Sequence, residues 1–223
     1  MEVQYTLVTT ERKTLGLSVE RDRSIVVRAP KSVNENEIAD FIERKKFWLH
    51  QKLNHPQKYK PAKKKEFISG AAIMYLGRNY KLNITNQDHD DIKFNNSFII
   101  SKKNQSKAYD LFREWYLQKA EEKIIQKAKT HAKNLGVEYD NIKVSDLRFR
   151  WGSCTPKNNL NFNWRLIKAP LPVVEYVIVH ELAHLIENNH TPKFWNIVKT
   201  QLPRFKQAKE WLRENGHLLE VDF

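Results

Sequence analysis

Residues 180–184 read His180-Glu181-Leu182-Ala183-His184, the H-E-x-x-H pattern. On an α-helix, residues four apart differ by ~40° in direction and ~6 Å along the axis, so both imidazoles can address one ion. Glu181 follows the first of them and projects beside the ion, not onto it. That placement suits a base acting on a water that zinc has brought to a pKa of ~7. The expected chemistry is hydrolysis of a peptide bond, with Glu181 taking the proton of the water and passing it to the leaving amine.

A catalytic zinc takes three protein ligands and leaves a fourth position open. His190, six residues after His184, is the favoured third ligand. In a continuous helix it would lie ~9 Å beyond His184, so the helix must end and the chain fold back. Asn188 and Asn189 stand where that break is needed, and asparagine tolerates the left-handed conformation that ends helices. Glu187, on the face of His180 but a turn beyond His184, and Glu210 or Glu214 near the C-terminus are the rival third ligands. Cys154 is the lone cysteine, which excludes a zinc site of several thiolates and any intramolecular disulfide.

The elements around the motif must hold ionisable groups in an apolar setting. From Pro172 to Ile186 the chain is apolar on nearly every side, the mark of a helix buried by its neighbours. Unpartnered ionisable groups there cost several kcal/mol, so a compensating metal is a better reading than three satisfied core residues. Thr191-Pro192 predicts the start of a helix bearing Phe194, Trp195, Val198 and Leu202, ended by Pro203. A last amphipathic helix is expected to stop at Gly216. Upstream, a helix over 105–135 has a stripe through Ala108, Leu111, Phe112, Trp115, Tyr116, Ala120 and Ile124, with Gly136 beyond its end. Strands are expected over 142–149 and 160–167.

The first thirty residues alternate apolar and polar in three short runs, which predicts an antiparallel meander. Asn34 then caps a helix running to about Leu53, ahead of Pro56. Further strands follow around a turn at Gly77-Arg78-Asn79 and at 97–100. This divides the chain into a β-rich N-terminal region, 1–103, and a catalytic domain, 104–223, of class α+β.

With 40% hydrophobic residues the chain is expected to be globular. No apolar run approaches the roughly 20 residues that cross a bilayer, and the N-terminus has no export-signal pattern. Together with the single cysteine this favours the cytoplasm and no membrane partner. The formal net charge is +13, spread along the chain, with its densest stretch, Lys58 to Lys65, reading as a solvated linker. Nucleic acid remains a candidate partner.

The stretches Arg150-Trp151-Gly152-Ser153-Cys154, Asn163-Trp164-Arg165-Leu166, HELAHLIENNH and Phe194-Trp195, in that order and spacing, resemble the YgjP-like zinc metallopeptidases, relatives of the SprT-like proteins. The resemblance runs over residues 104–223. It implies a compact zincin-like domain in which a small antiparallel sheet lies against the active-site helix. It also implies zinc on His180, His184 and His190, Glu181 as the catalytic glutamate, and a peptide substrate lying along an edge strand near 150–165. Glu187 stands where the metzincin pattern has glycine, which argues against a true metzincin.

In Arg150–Cys154, Trp151 is expected in the core and Gly152 at a tight turn, and Cys154 is a poor candidate for a nucleophile. Arg150, Arg165 or a tyrosine could stabilise the oxyanion. The rival functions are a nucleic-acid-associated protein with a structural zinc, and a zinc amidase acting on a non-protein substrate.

Overall fold

The computed structural model describes residues 3–19, 24–53, 66–147 and 150–220. The expected linker Lys58–Lys65 lies outside them. The chain forms two compact units, Met1–Lys63 and Lys64–Phe223.

The first unit holds β1 (Thr6–Thr10), β2 (Gly16–Val19), β3 (Ile25–Pro30), α1 (Glu35–Arg44) and α2 (Lys46–Leu53). Its sheet is not a meander. The order is β1-β3-β2, with β3 antiparallel to β2 and parallel to β1. β3 takes the centre because it is the strand whose alternate residues, Ile25, Val27 and Ala29, are all buried; they pack with Ile38, Ile42 and Leu49 of the two helices. Asn34 caps α1 as expected, its side chain accepting from the Glu37 N–H at 2.8 Å. The single helix expected over 34–53 is broken at Lys45.

The second unit begins with β4 (Ala72–Tyr75), β5 (Arg78–Thr85), β6 (Lys93–Phe94) and β7 (Phe98–Ser101), in the order β4-β5-β7-β6. A 3₁₀ turn leads into α3 (Ala108–Leu135), which ends at Gly136 in the left-handed region, φ 65°. Then come β8 (Asn141–Ser145), β9 (Gly152–Cys154) and β10 (Asn159–Asn163), a 3₁₀ turn at Trp164–Lys168, α4 (Leu171–Ala183), α5 (Pro192–Gln201) and α6 (Phe205–Glu220). The class is α+β.

The expected boundary between 103 and 104 is not where compactness divides the chain. Ile73, Leu82, Phe98 and Ile100 of the β4–β7 sheet share one apolar cluster with Phe112 and Tyr116 of α3. Phe98 and Phe112 meet edge to face at 5.3 Å, and the Tyr116 hydroxyl donates to the Met74 carbonyl. α3 can serve both sides because its buried residues Ala108, Phe112, Tyr116, Ala120, Ile124, Ala128 and Ala132 recur every fourth position.

The small sheet beside α4 is mixed, not purely antiparallel. β10 runs parallel to β8 and antiparallel to β9, so β9 is an edge. The strand expected over 160–167 stops at Asn163, whose side chain accepts from the Arg165 N–H at 3.0 Å and turns the chain into the 3₁₀ segment. That segment anchors the β4–β5 hairpin. Its carbonyls at Ile167 and Lys168 accept from the Leu76 and Gly77 N–H groups at 3.0 and 2.8 Å. The hairpin turn is Leu76-Gly77, one residue earlier than expected, with φ values of 45° and 78°. Here glycine also supplies room: a Cβ on Gly77 would lie 2.6 Å from Pro170 Cγ, at the entry to α4.

α4 is poor in helix formers, with Val173, Val174, Val177, Ile178 and Val179 all β-branched. Burial overrides propensity, since each of these side chains is buried, and a fully buried Val or Ile contributes roughly 1.5–3 kcal/mol. α6 does not stop at Gly216 but continues to Glu220. Gly216 serves packing instead, since a Cβ there would sit 3.3 Å from Trp151 Cζ2.

Candidate metal centre

α4 carries His180 and Glu181 in its last turns, and His184 is its C-cap in right-handed helical conformation, φ −67°. The chain then turns through tight backbone bonds, Leu185 N–H to Leu182 O and Ile186 N–H to Ala183 O, both 3.1 Å. The helix therefore ends before Asn188 and Asn189, and neither asparagine adopts positive φ. The expected reversal exists, but its mechanism is a 3₁₀-type tightening. It delivers His190 one residue ahead of Thr191, whose side chain accepts from the Phe194 N–H at 3.3 Å and opens α5.

The result brings His180, His184 and His190 together, with one donor nitrogen from each within 4.8 Å of the others. His180 Nε2 and His190 Nε2 face each other at 3.0 Å. Two imidazoles on one tetrahedral zinc at ~2.0–2.1 Å hold their nitrogens about 3.3 Å apart, so the observed spacing fits that ion closely. His184 Nδ1 lies 3.2 Å from the Glu187 carbonyl, which fixes Nδ1 as the donor and leaves Nε2 for the cluster. His180 Nδ1 is buried with no protein partner. Core histidines satisfied by protein would not meet mainly one another.

The three rings rest on Phe194, whose centroid is 4.9, 4.6 and 4.7 Å from those of His180, His184 and His190. Trp195 stacks on His190 at 5.6 Å, and Lys209 Nζ sits 4.1 Å over the Trp195 ring. Burial chiefly, with the neighbouring imidazoles and the Lys209 charge, pushes His180 down to about 3. The same causes lower His190. Both rings are thus neutral and able to ligate at neutral pH.

The rival ligands are elsewhere. Glu187 contributes its backbone carbonyl, and its carboxylate faces Lys193 at 3.7 Å. Glu210 pairs with Arg213 on the exposed face of α6, where Glu214 also lies. Among the described residues the ligating cluster contains none of these carboxylates.

Glu181 is buried, and burial raises its carboxyl to about 7 against the opposing pull of the Cys154 backbone N–H and the Arg150 charge. β9 lies directly on it. A Cβ on Gly152 would come within 2.7 Å of Glu181 Cγ. Gly152 is not in the left-handed region. Its role is close approach, where a tight turn was expected. Burial and the Glu181 charge push the Cys154 thiol up, away from a thiolate nucleophile. Of the arginines considered for the oxyanion, Arg150 is near Glu181, whereas Arg165 is buried against Asp146 and Trp164. Phe194, Gly152 and Lys209 were not singled out in the sequence for the site. Gly152 stands within the family-like stretch and Phe194 on the apolar face of α5, but no spacing rule marks either.

A cavity of about 940 Å³ opens apart from this centre, lined by Tyr75, Phe94, Trp115 and the polar face of α3. It holds no ligating cluster among the described residues. No helix among the described residues is long and apolar enough to cross a membrane.

No functionally curated protein matches the sequence. Two solved metallopeptidase zymogens are similar over part of it: abylysin from Pyrococcus abyssi, 16% identical with a TM-score of 0.37, and jannalysin from Methanocaldococcus jannaschii, 19% identical with a TM-score of 0.38. Each similarity covers 41% of this chain and 93% or 95% of the other. The model of the YgjP-like metallopeptidase domain matches residues 13–215, across both compact units. The chain thus belongs to the YgjP-like metallopeptidase family and is a metallopeptidase.

Proposed function

We propose that this metallopeptidase uses zinc held by His180, His184 and His190, with Glu181 as general base, to hydrolyse peptide bonds in peptide or protein substrates. The observation that carries the reading is the convergence of three imidazoles beside one buried carboxyl of raised pKa. When bound, zinc supplies Lewis acidity, polarising the scissile carbonyl and lowering the pKa of a water to ~7.

Glu181 performs the proton transfers. A carboxyl at about 7 is partly ionised at neutral pH, so it can accept a proton from the water and return it to the leaving nitrogen. Phe194 holds the imidazoles from below and excludes water from that side. The substrate backbone is proposed to add to the edge of β9, where the Gly152 backbone groups and the Cys154 carbonyl turn away from β10 while the Cys154 N–H is held by Glu181. The alternation supports this, since Trp151 O and Thr155 N–H, on either side, are bonded to the β10 side.

A structural zinc in a nucleic-acid-binding protein needs a fourth protein ligand, and the cluster offers three among the described residues. A cytoplasmic setting remains part of the proposal on sequence grounds. The test is turnover of a flexible protein substrate by zinc-loaded Glu181→Gln. The reading expects kcat to fall ~10²–10⁴-fold with zinc content unchanged; a wild-type rate would remove Glu181 from the mechanism.

A further inference from the structure

We infer that Gly152 is a positioning residue for the general base: the missing side chain on β9 is the space in which the Glu181 carboxyl is held. This rests on the reading of Glu181 as base. Position 152 pairs with Phe162 across β10, so the strand is tied down on that side. A side chain at 152 would stand on the sheet face that meets α4. A Cβ at 152 would lie 2.7 Å from Cγ, 2.7 Å from Oε1 and 3.0 Å from Cδ of Glu181. Carbon atoms in a packed interior do not approach so closely, so something must move.

Three features decide what moves. The strand is fixed by Asn163 N–H to Trp151 O at 2.8 Å and Thr155 N–H to Asn159 O at 2.9 Å, on either side of position 152. Trp151, next to it, is seated against Gly216 of α6. α4 is buried on nearly all sides. The yielding group is the Glu181 side chain, which has two free torsions ahead of its carboxyl. A methyl at 152 therefore displaces the carboxyl and leaves the fold in place. Because Gly152 has an ordinary backbone conformation, alanine meets no backbone strain there, and the contact with Glu181 is what it changes.

The experiment compares Gly152→Ala in two backgrounds, wild type and Glu181→Ala, measuring zinc content, thermal midpoint, kcat and KM, with Glu181→Gln alongside. In the wild-type background kcat is expected to fall at least tenfold, with one zinc retained and KM changed less than threefold. In Glu181→Ala the same substitution is expected to leave the thermal midpoint unchanged or raised, whereas with Glu181 present it lowers it. A kcat left within twofold of wild type by Gly152→Ala, or an equal midpoint shift with and without the glutamate, overturns the inference. Full activity of Glu181→Gln would instead sink the reading of the base. The midpoint comparison is independent of that outcome and still decides whether Gly152 makes room for Glu181.

Discussion

Each histidine of the cluster is set by a different neighbour. His184 is oriented by the Glu187 carbonyl, His190 by its stacking on Trp195, and His180 by its place within α4. The residue to test is His190, because the sequence left Glu187, Glu210 and Glu214 as rivals. Removing a group that merely supports a ligand weakens metal ~10–100-fold, and removing a ligand should exceed that. His190→Ala is accordingly expected to lower zinc affinity by more than ~100-fold in a chelator competition. Glu210→Gln and Glu214→Gln should leave it within twofold, and an Ala-like loss from either would reinstate a carboxylate ligand. The pairing of His180 with His184 was readable because helix geometry alone puts both on one face. Gly152 was not, since its significance lies in a contact between residues 29 positions apart that no local spacing encodes.

Among the elements, α5 does the most for the site per residue. It begins two residues after His190, is capped by Thr191, and carries Phe194 beneath all three imidazoles. Thr191→Ala should cost about 1 kcal/mol of stability and also weaken zinc binding, because the cap fixes the segment that presents His190. Urea unfolding with and without zinc checks this. The prediction fails if the cost is the same in both, since linkage requires the metal-bound form to lose more. The cap was visible in the Thr191-Pro192 pair, and the C-terminus of α3 in Gly136. The errors came where tertiary packing overrode a local signal. Gly216 stays helical to receive Trp151, the Trp164–Lys168 segment coils under an Asn163 cap, and β3 enters the centre of its sheet by burying Ile25, Val27 and Ala29.

At the scale of the molecule, the buried apolar cluster behind the metal centre lies wholly within Lys64–Phe223, while the residues before it have a separate cluster of their own. Residues 64–223 alone are therefore expected to fold cooperatively and to bind one zinc, as read by circular dichroism and metal analysis. A fragment that stays unfolded with zinc present would show that the first unit is needed for folding. The class α+β could be read from the alternation and helical stripes, but the strands at 72–101 were assigned to the wrong compact unit. Their pattern is that of any antiparallel hairpin, and only the shared burial with Phe112 and Tyr116 reveals their partner.

The most direct test of the account is zinc K-edge absorption on the purified full chain. One tetrahedral zinc with three imidazole nitrogens at ~2.0–2.1 Å and one water oxygen is expected, with one imidazole lost in His190→Ala. A fourth protein ligand, a sulfur scatterer from Cys154, or protein that binds no zinc would contradict it.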